Sequence, residues 1–211
     1  MRTLLFLAAA VLLVGCGSPG SNKPAATPAA TTVSALGAKF KQAPPLTINP
    51  NKKYIADLIT DKGTITVQLL PKLAPLAVNS FVFLARHHYY DHNLFHRILQ
   101  NFVIQTGDPT GTGSGGPGYT FRDELHKGDK YTLGTLAMGN TGPNSNGSQF
   151  FIVIGSQASS LPNSYTIFGH VIKGMAVAEK IGDTPVTTNP GSGEVSMPLV
   201  DVYLKTVKIR S

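Results

Sequence analysis

The chain has no tryptophan and a single cysteine. Only 14 % of its 211 residues are charged, whereas soluble domains average roughly 25 %. With Cys16 alone, no internal disulfide and no cysteine-held metal cluster can form. No cysteine nucleophile lies in the part expected to fold. Blocks of five or more basic residues are missing, so the formal net charge of +7 is dispersed. Nucleic-acid binding would want a basic stripe on a docking element, so no nucleic-acid partner is expected. Long apolar runs are missing as well. Leu4–Val14 is the longest, and its eleven residues are too few to span a bilayer as a helix. The length supports one ordinary domain with appendages.

What is present begins with an address-like segment, MRTLLFLAAAVLLVGC. Arg2 supplies a short positive region and Leu4–Val14 an apolar core, the pattern of a signal peptide. Leu13-Val14-Gly15-Cys16 resembles the bacterial lipobox. That resemblance implies a signal peptide over 1–15, a lipid attached at Cys16, and an extracytoplasmic protein anchored to a bacterial cell membrane. The plainer alternative is an ordinary secretory signal with a chance cysteine. Residues 16–48 are rich in Gly, Ser, Pro, Ala and Thr and are expected to be a flexible tether. Leu36, Phe40, Leu46 and Ile48 leave open whether its end packs on the domain, which is expected over 49–211.

Within the domain, periodicity sets the elements. Tyr54–Ile59 and Thr64–Leu69 read as a hairpin turning at Asp61-Lys62-Gly63. Ile65, Val67 and Leu69 alternate with polar residues, as in a half-buried strand. Val78, Phe81, Val82 and Ala85 then fall at helical spacing, and Pro75 suits a first turn, which predicts a helix over Pro75–Arg86. Strands are expected at Leu94–Ile98, Phe102–Gln105, Leu133–Ala137, Phe150–Ile154, Thr166–Val171 and Val200–Ile209. A second helix is expected over Met175–Ile181, followed by a loop over Asp183–Gly193. The apolar phase of the last strand changes near Lys205, which a bulge or a change of burial would explain. Many short strands with two helices suggest a closed or nearly closed β-barrel.

Two stretches carry the chemistry: Phe95-His96-Arg97-Ile98-Leu99-Gln100-Asn101-Phe102-Val103-Ile104-Gln105-Thr106-Gly107-Asp108-Pro109, and Met138-Gly139-Asn140-Thr141-Gly142-Pro143-Asn144-Ser145-Asn146-Gly147-Ser148-Gln149-Phe150-Phe151. Together they closely resemble the cyclophilin family of peptidyl-prolyl cis-trans isomerases, over essentially the whole domain. The resemblance implies a mainly β fold, an eight-stranded antiparallel barrel capped by two α-helices, with an active groove outside the barrel. It puts Arg97 at the family's catalytic arginine, with Gln105 and Asn140 as its polar partners. It also puts the proline pocket on Phe102, Val103, Phe151 and Leu161, a further polar contact on Gln149, and the passing peptide backbone at Gly139 and Thr141.

The implied chemistry is rotation about an X–Pro bond, so no nucleophile, metal or cofactor is expected. The implied partner is a proline-containing polypeptide, here exported or envelope proteins whose folding is assisted, and the acting unit is a monomer. Taken alone, Arg97 would more often be a surface salt bridge, and Phe102, Phe151 and Leu161 core. The sequence departs from the family at Ser160, where a tryptophan often stands, and at Tyr165, which replaces a groove histidine. The first departure implies weak cyclosporin binding. His96 should point away from Arg97, and the glycine-rich Gly111–Gly118 stretch reads as a rim loop. A peptide-binding scaffold and a surface adhesin are the competing functions, though neither needs Arg97.

Overall fold

A computed structural model describes residues 39–211. The expected signal peptide, Cys16 and the expected tether up to residue 38 lie outside the described residues. The first hairpin is β1 (Tyr54–Thr60) and β2 (Gly63–Leu69), paired without slippage from Tyr54↔Leu69 to Thr60↔Gly63. Helix α1 spans Pro75–Arg86, as its spacing predicts. Then come β3 (Asn93–Leu94), β4 (Arg97–Leu99), β5 (Val103–Thr106), β6 (Thr135–Met138), β7 (Phe150–Val153) and β8 (Ile167–Lys173). Helix α2 (Met175–Gly182), β9 (Val186–Thr188), β10 (Val195–Pro198) and β11 (Tyr203–Arg210) complete the order.

Nine strands form one antiparallel sheet in the order β3-β11-β1-β2-β8-β6-β7-β5-β4. Its two edge strands, β3 and β4, are separated in the chain only by Phe95 and His96. The sheet therefore curls until its edges meet across a short covalent link, and two helices cap it. This is the expected mainly β cyclophilin-like architecture, with nine strands in the sheet where eight were expected, because the corner at Phe95 and His96 splits one expected strand into β3 and β4. The strand expected over Leu94–Ile98 is divided in two because it turns the corner between sheet edges. In β11 the pairing passes over Lys205: Ile59 faces Thr206 and Thr60 faces Leu204. That bulge lets Leu204 and Val207 both point inward, which accounts for the phase change in the sequence.

Alternation assigns the side chains. On β5, β6 and β7, Ile104, Leu136, Met138, Phe150 and Ile152 enter the barrel. Val103, Ala137, Phe151 and Val153 leave by the opposite face and build a second apolar cluster. Inside, Phe81 from α1 meets the rings of Tyr90, Phe150 and Phe168 at 5.1, 5.4 and 5.3 Å. The free amides at the start of α1 are met from a distance. Leu76 and Ala77 each donate to the Glu124 carboxylate at 3.0 Å, a charge suited to the positive end of a helix.

Two segments differ from the sequence reading. Residues 40–48, assigned to the tether, lie against α1. Buried Asn79 accepts from the Thr47 amide at 2.9 Å and donates to the Pro45 carbonyl at 3.0 Å. Ile48 is buried, and the Phe40 ring packs edge-on against Phe83 at 5.0 Å. The Phe40 amide donates to the Pro117 carbonyl at 2.7 Å, so the segment also grips the rim loop. Leu46 stays exposed. The second difference is the expected loop Asp183–Gly193, which contains β9 and forms a two-stranded ribbon with β10.

Candidate active site

The outer cluster is not fully covered. Phe102, Leu161 and Tyr165 stand half-buried around a floor of Val103 and Phe151. They enclose a cavity of about 260 Å³, with Arg97, Gln105, Gly139 and Asn140 completing its wall. Strand pairing explains the convergence: Arg97 lies opposite Gln105, and Gln105 opposite Phe151, on three adjacent strands in one phase. The Tyr165 ring packs edge-on to Phe151 at 5.4 Å. Tyr165 is fixed by Tyr131, whose hydroxyl accepts from its amide and donates to its carbonyl, both at 2.9 Å.

Arg97 is part exposed and sits with its guanidinium carbon 6.0 Å from the Phe102 ring centre. It is also ion-paired. Its Nε donates to Glu194 Oε2 at 2.7 Å and its Nη2 to Oε1 at 2.8 Å, a bidentate fork. Toward the cavity, Nη1 reaches Gln105 Oε1 only at 3.5 Å. The guanidinium beside Glu194 holds that carboxyl below its ordinary range. Arg97 thus combines the salt bridge that its residue type alone suggests with a place on a groove. Glu194 went unnoticed in the sequence. It lies 97 residues downstream at the end of a segment rich in Gly, Pro and Thr, where no periodic signal marks it.

A polar line runs on from Gln105. Its Nε2 donates to Gln149 Oε1 at 2.9 Å, and Gln149 Nε2 donates to the Gly113 and Gly115 carbonyls at 2.9 and 3.0 Å. Buried Asp108 secures the same loop from below, accepting from the Gly113 and Gly115 amides at 2.7 and 3.0 Å. Burial pushes the Asp108 carboxyl up, but these donors and Thr110 prevail and hold it below the usual value. His96, also buried, sits next to Gly113. Burial, set partly against the pull of Asp108, keeps its ring below the ordinary histidine range.

Gln149 and Thr141 line a neighbouring cavity of about 500 Å³ under the rim loop, which shares Gln105, Gly139 and Asn140 with the first. At Gly139 a Cβ would approach Gln105 Nε2 to 3.2 Å, so glycine keeps the shared wall low. Asn140 donates to the Ser164 carbonyl at 2.8 Å, and the Thr141 amide donates to Ser145 Oγ at 3.0 Å. All eleven groove residues named from the sequence therefore meet around two adjoining cavities. Ser160 is exposed at the end of a 3₁₀ turn, Ser156–Ser160, and binds the Gln157 carbonyl at 2.8 Å.

A closed antiparallel barrel with an apolar slot and an arginine on its outer face is the architecture that the cyclophilin resemblance implies. The family described as "Cyclophilin type peptidyl-prolyl cis-trans isomerase/CLD" matches residues 55–209. A peptidyl-prolyl cis-trans isomerase-like 1 of Aspergillus fumigatus is 48 % identical over 127 residues, 58 % of this chain and 78 % of that protein. The mouse protein of the same name is 44 % identical over 143 residues, covering 66 % and 84 %. Among solved structures, the cyclophilin type peptidyl-prolyl cis-trans isomerase of Cryptosporidium parvum superposes with a TM-score of 0.68. It is 33 % identical, and the match covers 76 % of this chain and 99 % of that one. The chain belongs to the cyclophilin-type peptidyl-prolyl cis-trans isomerase family, and it is an isomerase of X–Pro bonds.

These relatives correct one expectation. Similar proteins include those of fungi, a plant and mouse, and none of these is described as a lipoprotein. They overturn the reading as a bacterial lipoprotein member and, with it, the lipid-anchored location at a bacterial cell membrane. The lipobox resemblance rested on four residues, Leu13–Cys16, and so few small and apolar positions recur easily by chance.

Proposed function

We propose that Arg97 is the catalytic group of this isomerase and that the 260 Å³ cavity receives the proline ring. An X–Pro bond resists rotation because the nitrogen lone pair is shared with the carbonyl, a barrier of roughly 18–20 kcal/mol for peptide bonds. In the twisted state that sharing is broken, the nitrogen becomes pyramidal and its lone pair can accept a hydrogen bond. A donor fixed near that nitrogen favours the twisted state over both planar states. Arg97 cannot lose its charge and presents rigidly arranged donors. Phe102, Val103, Phe151 and Leu161 grip the pyrrolidine ring, with Tyr165 as the far wall. Asn140, Gly139 and Thr141 hold the residue before proline, and Gln105 and Gln149 brace the polar side. One end is held while the other turns, and no covalent bond is made or broken.

The observation that carries this reading is Arg97 on the wall of an apolar slot built by Phe102, Phe151 and Leu161. The ligand chemistry agrees with that of a relative: the Cryptosporidium enzyme has a structure determined in the presence of the dipeptide Ala-Pro. The clients are proline-containing polypeptides whose folding waits on X–Pro isomers, with no restriction to exported ones. The acting unit is a monomer, because one chain supplies every wall of the groove. Cyclosporin binds weakly, since exposed Ser160 offers no aromatic ring at the rim. The test is Arg97→Ala in a protease-free prolyl isomerisation assay. At least tenfold lower activity in a folded domain is expected, and near-wild-type activity refutes the assignment.

A further inference from the structure

We propose that Glu194 is the positioning residue for Arg97, gripping the Nε/Nη2 edge of its guanidinium so that the Nη1 end is presented to the proline slot. The inference rests on the catalytic role proposed for Arg97. Distances decide between the two candidate partners. Gln105, directly opposite on the neighbouring strand, meets Nη1 at 3.5 Å, where a hydrogen bond has little strength. Glu194 makes two charge-assisted bonds at 2.7 and 2.8 Å, the geometry that fixes a guanidinium in both direction and rotation. A long side chain with several free torsions would otherwise wander, and a misplacement of about 1 Å can cost on the order of 100-fold in rate.

The support beneath Glu194 is itself firm. Its carbonyl accepts from the Asn189 amide at 2.7 Å, and the Gly193 amide donates to the Asn189 carbonyl at 2.8 Å, closing the tip of the β9–β10 ribbon. Gly193 enters that tip at φ +73°, a conformation that a side chain would strain. The next residue, Val195, pairs with Thr188 in the ribbon. Glu194 is therefore delivered by a built hairpin. The carboxylate also neutralises the guanidinium at its back edge, so Arg97 acts through the direction of its remaining N–H donors and less through net charge.

The carboxylate is the required feature, which gives the variants a distinctive order. Glu194→Asp keeps the charge but shortens the reach. Glu194→Gln keeps the shape, but its amide NH₂ faces one of the arginine donors and can accept nothing there. Activity should fall in the order Glu, Asp, then Gln and Ala together, with Ala lower than wild type by about tenfold in kcat and KM within about twofold. The protease-free assay on wild type, Arg97→Ala and the three Glu194 variants reads this. The ¹⁵N signal of Arg97 Nε–H reads the contact itself: visible and slowly exchanging in wild type, lost in Glu194→Gln. Glu194→Ala with unchanged or raised kcat, while Arg97→Ala is inactive, overturns the proposal alone and makes Glu194 inert or a brake. An inactive wild type overturns the catalytic reading, and the Nε–H signal still decides whether Glu194 holds Arg97. An Nε–H signal unaffected by Glu194→Gln overturns the positioning role outright.

Discussion

Strands β5, β6 and β7 show two faces with the same periodicity and opposite fates. Toward the barrel, Ile104, Leu136, Phe150 and Ile152 are completely buried. Toward the outside, Val103 and Phe151 are buried too, but the Phe102, Leu161 and Tyr165 side chains that stand around them are only half-buried. Both faces are apolar, so hydrophobicity does not separate structure from function here. Cover does. The inner face is filled by residues from α1 and the other strands. The outer face keeps an unfilled slot, and the charged Arg97 stands at its edge.

Breaking each face should give different losses. Phe150→Ala, which empties the barrel core, should destabilise by about 3–5 kcal/mol, measured by chemical denaturation. Phe102→Ala, on the slot, should leave most of that stability and instead lower kcat/KM. If the two variants lost stability equally, the division between faces would be wrong. Arg97→Ala comes next, at least tenfold in activity or about 1.4 kcal/mol, with an unfolding midpoint near that of wild type.

Smaller still is an acid effect. The folded value of Glu194 is depressed by Arg97, so its contribution is complete above the ordinary carboxylate value of 4.5 and is lost as pH falls through the lower folded value. Activity should hold to below pH 4.5 in wild type, and an acid limb reporting this pair should vanish in Glu194→Gln. A rate profile identical in both would break the link. The smallest effect concerns the rim. Cyclosporin should inhibit poorly, and inserting the missing ring by Ser160→Trp should strengthen it without changing stability. Submicromolar inhibition of wild type would count against an open rim.

Periodic elements are readable in the sequence alone. Val78, Phe81, Val82 and Ala85, with Pro75 at the start, located α1, and the alternation of Ile65, Val67 and Leu69 located β2. The bulge at Lys205 left its trace because a two-residue period had to break where two inward residues stand three apart. Groove residues came from motif resemblance, since Phe102 and Phe151 have the composition of core. What escaped notice or was left open depends on partners far along the chain. Glu194 gains its meaning only when the ribbon folds back beside Arg97. Phe40 and Ile48 are isolated apolar residues among Pro, Ala and Lys; Phe40 docks on the Phe83 ring, and the Ile48 amide on Asn79, whose polar side chain interrupts the helix pattern. The division of Leu94–Ile98 reflects closure of the barrel, a demand of the whole sheet that five residues do not announce.

The strap from Phe40 to Ile48 has a practical consequence for anyone trimming the gene. Cutting at residue 49, where alternating patterns begin, would remove the Thr47 and Ile48 amides that Asn79 accepts and the Phe40 amide that steadies Pro117. The trimmed enzyme would keep its barrel yet carry a bare asparagine on α1 and a slackened glycine rim over the larger cavity. Its preference for what precedes proline would then differ from that of the longer chain.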